Sequence, residues 1–198
     1  MRIGYCTTYR SVGIMKNILK KAVHPRRTRQ HIIKAAKSLF AKKGYSNTSM
    51  EEIADTIGVQ KASLYYFFKN KEEIFLDIIL GGFGELRRFF SEVTSAMPLQ
   101  KFIESYIKLC VKNSVVVRMI DSRVMSTAMK KRVINEVLEM KREIVKVLRN
   151  HRVFRPEFAT QILADSVFAY VLHCNFVNHC PVSSDYSRYL ASLIKQKE

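Results

Sequence analysis

Tryptophan is absent and acidic residues are scarce: 17 Asp and Glu stand against 34 Lys and Arg, a formal charge of +17. That balance fits a polyanionic partner, although a basic surface with no nucleic-acid role gives the same total. The distribution is more informative. No acid occurs before Glu51, whereas Arg2, Arg10, Lys16, Lys20, Lys21, Arg26, Arg27, Arg29, Lys34, Lys37, Lys42 and Lys43 all precede it. Apolar runs of the ~18–20 residues that cross a bilayer are missing, which excludes a spanning helix. The start also lacks the apolar stretch of a secretory signal. No membrane partner and a cytoplasmic location are therefore expected. Cys6, Cys110, Cys174 and Cys180 are too few and too scattered for a disulfide framework, so free thiols are expected. Four prolines and seven glycines form no low-complexity tract, and with 47% hydrophobic residues the chain can bury a core in one or two domains. The signatures GxSxG, HExxH, GxGxxG and the phosphate-binding loop are missing, and nothing pairs a Ser with a His, so neither an enzyme nor a cofactor is expected.

What is present centres on residues 48–71, TSMEEIADTIGVQKASLYYFFKNK. Ser49 with Glu52, or Thr48 with Glu51, fits a capping box. Met50, Ile53, Ala54 and Ile57 then recur at helical spacing, and Gly58 suits a helix end that needs positive φ. Val59 is expected to fill the turn. A second helix is predicted over Gln60–Phe67, with Leu64 and Phe68 facing inward and Ala62 allowing close approach of the first helix. Such a pair is a helix-turn-helix, whose second helix enters the major groove, or else an ordinary helical corner. Phosphate contacts are expected from Thr48, Ser49, Ser63, Tyr66 and Lys71. Base-edge contacts are expected from Gln60, Lys61, Ala62 and Tyr65: Lys61 can donate to guanine, and Ala62 or Tyr65 can touch a thymine methyl.

The residue pattern closely resembles the DNA-binding domain of TetR-family transcriptional regulators over roughly residues 28–80. The resemblance is carried by Ile53-Ala54, Gly58-Val59, Lys61-Ala62-Ser63-Leu64-Tyr65-Tyr66, Phe68, Lys71-Glu72 and Ile74. Phe67 departs from it, because the family often has His or another polar residue there; the phosphate contact that the family sometimes makes at that position is not carried over to this chain. The resemblance implies an all-α fold of about nine helices. A basic extension (1–25) is followed by a three-helix DNA-binding domain (26–71) and a helical ligand-binding and dimerisation domain (72–198).

Helical periods continue along the chain. The first helix is predicted over 26–43, with Ile32, Ala36, Leu39 and Phe40 inward and Gly44 as its stop. A fourth, about 70–95, contains Gly81, Gly82 and Gly84; each glycine costs about 1 kcal/mol relative to alanine, so close packing, a break or a hinge is expected there. Further helices are expected over 99–113, 127–151, 156–178 and 184–195, with a short apolar segment over 115–125. The helix over 156–178 is apolar on nearly every side, which calls for cover on every side and so for a partner subunit. The resemblance implies the same: the last two helices of each protomer form the homodimer interface.

The resemblance also implies a small apolar or amphipathic effector inside the C-terminal domain. Its expected contacts are Phe102, Tyr106, Cys110, Arg118, Met119, Met125, Phe168, Leu172 and Asn175, and the same side chains would equally make an ordinary core. His173, Cys174, His179 and Cys180 are spaced wrongly for one mononuclear metal on a straight helix; a site shared across a dimer axis stays open, as does their reading as polar residues at a helix end. No metal is expected. Arg2 and Arg10 suit an arm reaching a minor groove, or belong to a flexible or mis-assigned start. The implied function is a homodimeric, ligand-responsive repressor on a palindromic operator in double-stranded DNA. Two other readings stay open: an architectural DNA-binding protein of low sequence preference, and a ligand-binding scaffold without DNA function.

Overall fold

The computed structural model describes residues 25–120, 125–176 and 183–195. The expected N-terminal arm, the side chain of Asn175, and His179 with Cys180 lie outside the described residues. Regular structure among the described residues is all α-helical: α1 (Pro25–Lys43), α2 (Met50–Thr56), α3 (Lys61–Phe67), α4 (Lys71–Glu92), α5 (Leu99–Lys112), α6 (Ser114–Ile120), α7 (Thr127–Asn150), α8 (Pro156–Phe176) and α9 (Ser183–Lys195). The all-α class and the nine helices anticipated from the sequence are both found. No helix among the described residues is long and apolar enough to cross a membrane.

The chain divides into two compact units between Lys71 and Glu72. In the first, α1 buries Ile32, Ala36 and Phe40 and leaves Leu39 half-buried. It stops at Gly44, where φ is +84°, and the Gly44 N–H donates to the Phe40 carbonyl at 3.0 Å. The Ser49 Oγ caps α2 by accepting from the Glu52 N–H at 3.1 Å. The other half of the capping box is replaced, because the Glu52 carboxylate pairs with Lys43. Glu51 and Glu52 sit in the first turn, where the partial positive charge of the helix start favours them. Gly58 makes the turn into α3 at φ +68°; no atom lies within 4 Å of where its Cβ would be, so conformation rather than space requires glycine. Met50, Ile53 and Ala54 of α2 are buried, as are Leu64 of α3 and Phe68 just after it.

In the second unit α4 runs unbroken through Gly81, Gly82 and Gly84. The break allowed by the sequence is not there, and close packing accounts for one glycine: a Cβ on Gly82 would lie 3.0 Å from Val116 Cγ1. The core joins Phe90 of α4, Phe102, Ile103 and Ile107 of α5, Ile144 and Leu148 of α7, Leu163, Val167 and Val171 of α8, and Leu190 and Ile194 of α9. Stacked rings reinforce it, with Phe102 parallel to Phe89 at 5.8 Å and to Tyr106 at 6.3 Å between centroids. Tyr186 of α9 stacks on Tyr170 of α8 at 4.4 Å and donates to the Ser166 carbonyl at 2.9 Å. On the outside of the same two helices Phe158 is 65% exposed and Tyr189 60%. Cys110 is a free, buried thiol. Cys174 is disulfide-bonded, which corrects the expectation of four free thiols. One bridge needs only two neighbouring sulfurs, and a low cysteine count does not exclude it.

The glycines of α4 should respond oppositely to alanine. Gly81 is exposed with nothing within 4 Å of an added Cβ, so Gly81→Ala should gain about 0.5–1 kcal/mol of stability through helix propensity. Gly82→Ala must displace the stiff, β-branched Val116 side chain and should gain nothing or destabilise. Urea unfolding of the two variants beside the parent chain checks the pair; equal gains would show that Val116 yields freely.

Candidate functional site

A helix of seven residues does not hold its own shape in water, so packing decides which way α3 faces. Leu64 and Phe68 are buried against α1 and α2, and the Arg29 guanidinium lies over the Phe68 ring at 4.6 Å. The remaining residues face outward. Gln60, Lys61, Ala62, Tyr65 and Tyr66 are exposed and Ser63 is half-buried. Tyr66 is 78% exposed, Tyr65 46%, and the Tyr66 ring meets Phe67 edge-on at 5.1 Å. Ala62 therefore does not mediate close approach between the helices, as its size had suggested; it lies on the open face. The Lys61 Nζ reaches the Glu51 carboxylate at 3.3 Å across the turn, with both side chains largely in water.

Three expected phosphate contacts have other partners. Thr48 is only 2% exposed and its hydroxyl donates to the Gly44 carbonyl at 2.9 Å, so its side chain closes the end of α1 and cannot reach a phosphate. That corrects the expectation. Ser49 is exposed, and its oxygen already accepts from α2, leaving its O–H free to donate elsewhere. Lys71 donates to the Tyr45 and Thr48 carbonyls, each at 2.7 Å, and its ammonium lies 4.2 Å from the Tyr45 ring centroid. Two of its three donors are thus engaged within the unit, and burial lowers its pKa. Tyr45 was not singled out in the sequence. A tyrosine after a helix-stopping glycine carries no signal of the lysine that will seat on it 26 residues later.

The second unit contains a cavity of about 220 Å³ lined by α4, α5, α6, α7 and α8. Of the expected contacts, Tyr106, Cys110 and Phe168 line it. Phe102 is buried in the ring stack behind Tyr106, Met119 and Met125 are buried away from the cavity, Leu172 is half-buried away from it, and Arg118 is exposed. None of those five lines the wall. Leu86, Val116, Val137, Met140 and Val171 do, and they had been passed over. Spacing identifies the inner face of each helix but not where several inner faces leave a gap. Burial pushes the Tyr106 phenol well above its ordinary range and the Cys110 thiol up to about 12, so both keep their protons at neutral pH. Lys141 and Asp165 also border the cavity, joined through Gln161: Lys141 donates to Gln161 Oε1 at 2.6 Å and Gln161 donates to Asp165 at 2.5 Å. Among the described residues no cluster of metal-binding side chains is found, and the disulfide at Cys174 removes that sulfur as a thiolate ligand.

Residues 32–78 match the profile of bacterial regulatory proteins, tetR family. The chain is 45% identical over 51 residues to the HTH-type transcriptional regulator AcrR of Shigella flexneri, covering 26% of this chain and 24% of that protein. It is 48% identical over 44 residues to IcaR, the negative transcriptional regulator of the biofilm operon icaADBC in Staphylococcus epidermidis, covering 22% of this chain and 24% of that one. The chain thus spans 24% of the length of either relative. The whole fold has counterparts as well. A transcriptional regulator from Aquifex aeolicus VF5 superposes with a TM-score of 0.74 at 24% identity, covering 84% of this chain and 99% of that one. The regulator FadR of Bacillus subtilis, solved in complex with stearoyl-CoA, gives 0.69 at 17% identity, covering 84% and 97%.

The Lys71 contacts predict a stability effect apart from any nucleic acid. Lys71→Ala leaves two carbonyls without a charged donor and should destabilise the first unit by about 1–2 kcal/mol. Lys42→Ala, on the exposed surface, should change stability by less than about 0.5 kcal/mol. Thermal unfolding followed by circular dichroism compares them, and equal midpoints would mean that water replaces the Lys71 bonds without loss.

Proposed function

We propose that the chain, whose residues 32–78 match bacterial regulatory proteins of the tetR family, is a ligand-responsive transcriptional repressor that binds a palindromic operator as a homodimer. The observation that carries this reading is the outward face of α3. Burial of Leu64 and Phe68 leaves Gln60, Lys61, Ala62 and Tyr65 free to meet base edges in the major groove. Ser49, Ser63 and Tyr66 flank them as phosphate contacts, and Lys71 retains one donor for the same purpose. In this reading residues 26–71 bind DNA and residues 72–198 bind the effector and dimerise. The outward apolar side chains of α8 and α9, Phe158, Phe168, Tyr189 and Leu193, form the surface that a second copy covers. Two recognition helices held about 34–36 Å apart then read two half-sites in successive major grooves. A small apolar or amphipathic effector enters the cavity and lowers DNA affinity. The FadR complex with stearoyl-CoA is a precedent for an amphipathic ligand on this fold. To act, the effector must prefer one of two arrangements of the dimer, because equal affinity for both shifts nothing. The protein works in the cytoplasm.

The +17 charge also suits a DNA-binding protein of little sequence preference, and the two readings separate experimentally. Selection from random DNA should return a palindrome, and log K on it should fall linearly with log salt with a slope of about −0.9 per phosphate neutralised. Lys61→Ala should lose about 1–3 kcal/mol of discrimination at one base position in each half-site. A chain that binds bulk DNA as tightly as the selected sequence, or a monomer that binds a half-site as tightly as the full site, would overturn the proposal.

A further inference from the structure

The cavity of the second unit has a size and a chemistry that narrow its occupant. An apolar cavity of about 150 Å³ takes a benzene ring. At about 220 Å³ this one exceeds a single ring and suits about two. Leu86, Val116, Val137 and Val171 give it apolar walls. Tyr106 and Asn113 are the buried residues of its lining that carry polar side-chain groups, and the Asn113 amide nitrogen already donates to the Glu85 carboxylate and the Leu109 carbonyl. Tyr106 is 2% exposed, and its hydroxyl donates to Met140 Sδ at 3.5 Å. Sulfur is a weak acceptor, so a strong donor is held in a dry site with its capacity poorly used. The two charges bordering the cavity, Lys141 and Asp165, are of opposite sign and are linked through Gln161, so together they offer an entering anion no net positive charge. An anion entering the cavity would lose its hydration without that compensation.

We propose that this cavity binds an uncharged, largely apolar molecule of about two fused rings that accepts one hydrogen bond from the Tyr106 hydroxyl. The inference rests on reading the second unit as the effector-binding one and specifies the effector's chemical class. A ligand oxygen replaces sulfur as acceptor, so the gain is that of one neutral hydrogen bond made in place of a weaker one. A ligand without an acceptor fits the walls equally well and forgoes that gain. A carboxylate is disfavoured because it loses its hydration among apolar walls and the two charges bordering the cavity, Lys141 and Asp165, are of opposite sign and leave it no net positive charge.

Calorimetric titration of the full chain with three probes tests this: 1-tetralone, tetralin and 1-naphthoate. Tetralone and tetralin share a shape and differ in one carbonyl oxygen. Tetralone should bind about two- to tenfold more tightly than tetralin, the worth of one neutral hydrogen bond. Naphthoate should bind more weakly than either. Tyr106→Phe should abolish the preference for tetralone while leaving tetralin unchanged. Met140→Leu removes a sulfur acceptor at similar volume and should widen that preference, which keeps the proposal testable if Tyr106→Phe does not fold. Tightest binding by naphthoate, binding by none of the three, or a preference that survives Tyr106→Phe would each overturn it. DNA affinity is not the readout. A chain that selects an operator but prefers naphthoate sinks only this inference, and one that takes tetralone but selects no operator sinks only the regulatory reading.

Discussion

Burial of Leu64 and Phe68 fixes the rotation of α3, and the chemistry of the first unit depends on that rotation. Seven residues form about two turns, too few for a stable isolated helix, so α3 exists because its inner side chains leave water. Removing a leucine or phenylalanine from water stabilises by about 1.5–3 kcal/mol each, enough to hold a short helix whose outer face gains nothing from burial. Gly58 sets the approach of the chain to α3 through a φ that other residues adopt only with strain. Lys71 then fastens the far end by bonding to the carbonyls of Tyr45 and Thr48. The outer face is thus presented by a framework that uses none of its own side chains for support.

That division explains why the outer face carries groups that the unit would otherwise bury or neutralise. Two tyrosine rings stand in solvent, and Lys61 has only an exposed pairing with Glu51. An exposed pair of this kind contributes at most about 1 kcal/mol, so a stronger acceptor would displace Glu51 at little cost. Where the same chain needs a cation for structure, the arrangement differs: the Lys71 ammonium is half-buried, over an aromatic ring and on two carbonyls. Burial and partners, not residue type, distinguish the lysine available to a ligand from the lysine that holds the fold.

The local features were legible because their causes are local. The Ser49 cap, the Gly44 and Gly58 stops, and the stripe of Ile32, Ala36 and Phe40 each follow from a few neighbouring residues, and the structure has all of them. Thr48 was misread because its partner, the Gly44 carbonyl, becomes available only once α1 has ended. Ala62 was misread because small size permits close approach without requiring it. The glycines of α4 left close packing, a break and a hinge all open, because propensity counts their cost and cannot see Val116. The cavity was the least legible part. Tyr106, Cys110 and Phe168 were found as inward-facing residues, but a void is what five helices fail to fill, and no single helical period encodes it.

Phe168 connects the two surfaces of the second unit. Its ring lines the cavity, and yet 37% of the residue remains open to solvent on α8. A second copy laid over α8 would press on a ring that an occupant of the cavity also touches. Coupling between the two events is then reciprocal: whatever association does to the affinity for the occupant, the occupant does equally to association. The sign depends on whether the ring position that closes the cavity wall is also the one that fits a partner. A side chain shared in this way gives ligand and partner differential contacts with one element, the physical requirement for a ligand to shift a dimer between arrangements.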